Sequence, residues 1–208
     1  KMINRNASAV VIALFLILSN WMVAVSAWAM GSSPPQMVNV KVGLLLPLGT
    51  STGDQMRKST ELALLDLNEK YNGKLNFEGR WEDSRSDPAA AGTRMEALAA
   101  DKSVLGVVGP VNSGPAVAAK DVANRSGLIL ISPLASSMAL AAPGDYFFRT
   151  WPPDAADANH ASRYVVESMG KTKAVILFIG ATYGQGLAEA FKLDFTSRGG
   201  EILDSIEY

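Results

Sequence analysis

The chain has no cysteine and a single histidine, His160. With no cysteine it forms no disulfide, and no thiol stands near its N-terminal region to carry a lipid. One histidine and no cysteine leave a metal ion only carboxylates. No G-x-S-x-G is present, and a Ser-His-acid triad would have to use His160, with Ser113 as the serine at a strand end. An excess of either charge is lacking as well: 19 basic residues face 20 acidic ones, which gives no electrostatic reason to expect nucleic acid. Internal repeats and low-complexity segments are absent. At 48% hydrophobic residues the composition is that of an ordinary globular protein.

What is present begins with an unusual N-terminus. Lys1 and Arg5 precede an unbroken apolar run over residues 9–18, and small residues follow up to Ala27-Trp28-Ala29. A basic region, an apolar region and an A-x-A site make a secretory signal peptide over residues 1–29. The competing reading is an uncleaved anchor over residues 7–29, which Asn20 interrupts. Residues 30–37 are a short leader. The chain starts at Lys1 with Met2 behind it and ends at Tyr208 inside an apparent strand, so both ends read as cut from a longer frame.

A strand–helix alternation then runs to the end. Strands are expected at 38–46, 74–82, 104–108, 128–131, 146–149, 173–179 and 201–208. Helices are expected at 55–71 with Asp54 as N-cap, at 88–100 behind Asp87, and at 115–124 with Ser113 as N-cap. Two more are expected at 154–169 with Asp154 as N-cap and at 183–198. This alternation implies α/β architecture with parallel sheets. Trp151-Pro152-Pro153 falls where one lobe would hand over to another, giving lobes at 38–150 and 151–208, the first nearly complete and the second partial.

Two strand ends carry the functional signal. The run 104–109 stops in Pro110-Val111-Asn112-Ser113-Gly114, and the run 128–131 stops in Ser132-Pro133-Leu134-Ala135-Ser136-Ser137. Ligands of open parallel sheets bind beyond the carboxyl ends of strands, where hydroxyls and free N–H groups suit a carboxylate. No base, metal ligand or nucleophile accompanies them, so binding without chemistry is expected. Gly184-Gln185-Gly186 opens like a dinucleotide fingerprint, but Glu189 stands at the third glycine.

The landmarks come in a recognisable order: Val40-Lys41-Val42-Gly43, Glu82-Asp83, Val107-Val108-Gly109-Pro110 with Ser113, Ser132-Pro133 with Ser136, Phe148-Arg149-Thr150 with Asp154, and Ala181-Thr182-Tyr183-Gly184-Gln185-Gly186. In this the chain resembles the type I periplasmic solute-binding proteins of the leucine/isoleucine/valine-binding kind, the extracytoplasmic receptors of ABC importers. The resemblance implies two Rossmann-like lobes closing like a clamshell on an amino acid or related small carboxylate, without a cofactor. It implies that Ser113 donates to the ligand carboxylate, and Ser136 likewise through hydroxyl and backbone N–H. The Leu134 carbonyl would accept from an α-ammonium group, Tyr183 would approach from the second lobe, and Asp154 would meet the ammonium directly or through water. A monomeric periplasmic receptor with ABC permease subunits as partners is the implied whole. A sensory ligand-binding domain of the same fold, favoured by an uncleaved anchor, is the alternative, and an exported enzyme using Ser113 and His160 the third reading. The loop 49–53 is shorter than the family's usual turn, with Thr52 where an aromatic often lies, and the distal half of the second lobe is missing.

Overall fold

The structure is a computed structural model and describes residues 36–142 and 145–208. The signal peptide expected at 1–29 and most of the leader lie outside the described residues. Strand β1 (Val38–Leu46) opens an apolar run that ends at Pro47, and β2 (Leu75–Asp83), β3 (Val104–Val108), β4 (Ile129–Ser132) and β5 (Phe147–Arg149) join it in one sheet of order β2-β1-β3-β4-β5. The β1–β3, β3–β4 and β4–β5 pairs are parallel. A second sheet pairs β6 (Lys173–Phe178) with β7 (Glu201–Glu207), also in parallel. Asn39–Tyr208 pack as one compact unit that holds both sheets.

Among the described residues five α-helices connect the strands: α1 (Ser51–Lys70), α2 (Pro88–Ala100), α3 (Ser113–Ser126), α4 (Asp154–Arg163) and α5 (Thr182–Ser197). Helix α2 starts as the sequence indicates, with the Asp87 carboxylate accepting from the Ala90 N–H and Pro88 in the first turn. Three other starts differ from expectation. Helix α1 begins four residues earlier than 55 and is capped by Thr50, not Asp54, because the Thr50 hydroxyl accepts from the Gly53 N–H at 3.0 Å and donates to the Pro47 carbonyl at 2.7 Å. The loop expected at 49–53 is therefore largely first helical turn. Asn112, not Ser113, is the N-cap of α3, and Pro153, not Asp154, that of α4; neither makes a side-chain capping bond. The helix expected over 154–169 leaves α geometry at Tyr164–Ser168, a wider π turn in which the Met169 N–H donates to the Tyr164 carbonyl.

The core lies on one face of the five-stranded sheet. Gly43, Val107, Leu130 and Phe147 stand in register across four strands. On them pack Ala91, Met95 and Leu98 of α2 and Ala116, Ala119, Val122 and Ala123 of α3. The small alanines let α2 and α3 pack closely together over the sheet. On the opposite face Leu44 is buried, but Ile131 and Phe148, in register with it, are half exposed. Gly109, just past β3, has φ +107°, and a Cβ there would run into the Leu45 carbonyl, so only glycine fits. That turn aims the following segment at the end of β4.

Candidate functional site

The carboxyl ends of β3 and β4 are tied together by one buried serine. Ser132 donates its hydroxyl to the Pro110 carbonyl at 2.6 Å and accepts from the Ala135 N–H at 3.1 Å. Beyond that tie, Ser113 opens α3, and its Oγ accepts from the Ser137 N–H at 3.3 Å, which leaves the Ser113 hydroxyl proton free to donate. Ser137 itself caps the short 3₁₀ turn Met138–Leu140 through the Ala139 N–H. Helix α5 arrives from the other side, with Thr182 in its first turn and Ala181 as a cap without a side-chain bond. The two helix starts nearly touch: a Cβ on Gly114 would lie 3.2 Å from the Thr182 hydroxyl.

Between them lies a cleft of about 570 Å³. Ser113, Gly114 and Asn112 line it from α3, Leu134 and Ser136 from the loop after β4, and Thr182 and Tyr183 from α5; Ser86, Pro88 and Trp151 stand around them. The structure thus brings together Ser113, Leu134, Ser136 and Tyr183. Chemically the wall offers hydroxyls and two helix N-termini, whose unpaired N–H groups and positive dipole ends favour an anion.

Asp154 is not on that wall. Its side chain is fully buried behind Ser136, and neither carboxylate oxygen has a hydrogen-bond partner among the described residues. Its N–H donates to the Ser136 carbonyl at 2.9 Å, and a Cβ on Gly186 of α5 would come within 3.5 Å of its Oδ2. Burial pushes the Asp154 carboxyl above the ordinary carboxylate range. The nearby Ser136 hydroxyl, short of a well-aligned hydrogen bond, pulls it back; Asp157 pushes it up further and Arg149 opposes.

His160 is exposed on α4, and among the described residues no hydrogen bond joins it to Ser113. A larger hollow of about 680 Å³ lies past Gly186, with Met138, Ala155, Ala190 and Leu193 among its apolar lining and Gln185, Glu189, Asp194 and Ser197 among its polar lining, and it does not include Ser113, Leu134, Ser136 or Tyr183. Three residues in or behind the cleft wall escaped the reading of the sequence, of which only Thr182 lines the cleft. Ser132 and Arg149 stood within quoted landmarks but had no role, and Thr182 was masked by its tyrosine neighbour. Arg149 donates from Nη1 to the carbonyls of Ser136 at 2.8 Å and Ser137 at 3.1 Å.

Comparison with known proteins places this geometry among relatives. Residues 39–208 match the family model described as "Periplasmic binding protein". "Leu/Ile/Val-binding protein homolog 3" of Brucella melitensis is 28% identical over 173 residues, covering 80% of this chain and 46% of that protein. "Chemotactic signal transduction system substrate-binding protein BasB" of Halobacterium salinarum is 30% identical over 182 residues, covering 81% and 43%. Among solved structures, the branched-chain amino acid transporter substrate binding protein LivJ of Streptococcus pneumoniae, in complex with isoleucine, superposes with a TM-score of 0.70 at 29% identity, covering 82% of this chain and 49% of that one. The chain spans about half the length of the curated relatives it matches.

Proposed function

This chain belongs to the periplasmic binding protein family, and on that premise we propose that it grips an amino acid or related small carboxylate in the cleft between residues 38–150 and 151–208, as part of an extracytoplasmic receptor. The observation that carries the reading is the convergence of Ser113, Ser136 and the starts of α3 and α5 on one cleft. Ser113 and Ser136 donate to the ligand carboxylate, and the Leu134 carbonyl accepts from its ammonium. Tyr183 closes over the ligand from α5, and Asp154 acts from behind Ser136. No bond is made or broken. Ligand touching both walls favours the closed form, which the membrane subunits of an ABC importer read. The names of the relatives support leucine, isoleucine and valine as first ligands to test.

In the complete protein, Ser113→Ala with Ser136→Ala is expected to abolish thermal stabilisation by these amino acids. Loss of each charge-assisted hydrogen bond costs about 1.5–3 kcal/mol, roughly tenfold or more in Kd for each serine. Stabilisation equal to wild type would sink the assignment.

A sensory role has its own support in the chemotactic relative at 30% identity. Pull-down of the ligand-loaded protein separates the two: permease subunits argue for transport, a chemoreceptor for signalling. We place the protein in the periplasm as a monomer, exported by residues 1–29. The intact mass of the exported protein is expected to lack those residues, and a mass that retains them would favour an anchored sensor.

A further inference from the structure

The loop between β4 and the 3₁₀ turn is held from behind by the segment that ends β5. The Thr150 N–H donates to the Ser132 carbonyl at 3.1 Å, and the Thr150 hydroxyl to the Pro133 carbonyl at 3.1 Å. Arg149 takes the carbonyls of Ser136 and Ser137, the first shared with the Asp154 N–H and the second with the Leu140 N–H. Four of the six carbonyls from Ser132 to Ser137 are thereby engaged. Those of Leu134 and Ala135 receive no hydrogen bond from the described residues. Arg149 is in register with Ser132 on the neighbouring strand, so the sheet itself sets where the guanidinium reaches.

A peptide unit is planar and trans, so its C=O and N–H point to opposite sides. Arg149 holding the Ser136 carbonyl therefore turns the Ser137 N–H the other way, toward the Ser113 Oγ that accepts from it. That N–H occupies one of the two lone pairs of Ser113, and the hydroxyl proton, which no acceptor among the described residues takes, is the group left for an anion in the cleft. Both bonds leave the one nitrogen Nη1, whose two N–H groups are fixed in the guanidinium plane, whereas the ammonium of a lysine sits one atom nearer the backbone and rotates freely.

We propose that Arg149 is the positioning residue of the cleft: through the Ser136–Ser137 peptide it fixes Ser113 as a hydrogen-bond donor and so selects an anionic group over a cationic one. This rests on the reading of the cleft as a carboxylate site, and the test separates the two. In the complete ligand-free protein, Arg149→Lys keeps the charge but loses the planar Nη1 donor and one atom of reach. Hydrogen exchange at the Ser137 amide is expected to rise at least tenfold, with β1 and β3 amides unchanged. Thr150→Val, at an exposed position, is expected to loosen the same loop by a smaller factor and serves where Arg149→Lys does not fold. In titrations with L-leucine, Arg149→Lys is expected to weaken binding about tenfold. Because Arg149 acts through Ser113, Arg149→Lys combined with Ser113→Ala is expected to lose little more than Ser113→Ala alone. An unchanged Ser137 amide overturns the proposal whatever the ligand does, and so do losses that add in full. A responding amide in a protein whose wild type takes no leucine, isoleucine or valine upholds the positioning of Ser113 and removes the amino-acid reading instead.

Discussion

Asp154 is the least well-satisfied side chain described. It is fully buried and, among the described residues, without a hydrogen-bond partner for either oxygen, so its charge is costly, although the start of α4 offsets part of that cost. Its folded carboxyl titrates above the ordinary 3.8, chiefly through burial. Folding thus disfavours its charged form relative to the unfolded chain. The cost stands in full above the raised folded value, is relieved as pH falls through it, and stops changing below the unfolded value. Asp154→Asn is therefore expected to raise Tm at pH 7, with an advantage that narrows as pH approaches 4. A variant less stable than wild type across that range would show that the carboxylate charge is needed. Gly109 makes an opposite case: Gly109→Ala combines a positive φ with a collision against the Leu45 carbonyl and is expected to cost roughly 3 kcal/mol in chemical denaturation.

Helices α4 and α5 are joined through Asp194, which accepts from Asn159 Nδ2 at 3.2 Å, from Arg198 Nε at 2.7 Å and from the Ser162 hydroxyl. The Arg198 and Ser162 hydrogen bonds lead in holding its carboxyl down at about 2, against an ordinary 3.8. A depressed acid contributes stability that is complete above 3.8 and is lost as pH falls through about 2. Asp194→Ala is expected to raise hydrogen exchange in α4 and α5 at pH 7 and to flatten acid unfolding over that window; an unchanged profile would assign the helix pairing to apolar contacts alone. In the first sheet, Met95→Ala in α2 is expected to cost about 2–5 kcal/mol, since the side chain is wholly enclosed. Much of this architecture was legible in the sequence. Apolar runs of strand length, separated by helical spacing, read directly as βα units, and hydroxyls at two strand ends marked the cleft. The start of α1 was not, because Ser51-Thr52-Gly53 reads equally as a turn, and only the bonds of Thr50 to Gly53 and Pro47 decide the matter. Nor was the place of Asp154: its neighbours mark a helix start, while packing against Ser136 and Gly186 draws the side chain inward. Arg149 escaped notice because its partners are carbonyls, which no sequence pattern displays.

Over the whole molecule, apolar surface is unevenly covered. Ile129, Ile131 and Phe148 stand exposed on the outer face of the first sheet, and Val175 and Leu177 on β6 of the second. Exposed apolar strands are sites of association. These 208 residues alone are therefore expected to bind ANS and to sediment as oligomers at micromolar concentration; a monomer with little dye fluorescence would contradict this. The cleft has a different character. Of the side chains that line it, only the phenol of Tyr183 is ionisable, and the rest are hydroxyl, amide and apolar groups. Capture by this wall moves no proton to or from a carboxylate, an imidazole or an amine and releases no counter-ion held by a side chain. In calorimetric terms, the share of the binding heat that comes from these lining side chains does not vary with the buffer's ionisation enthalpy.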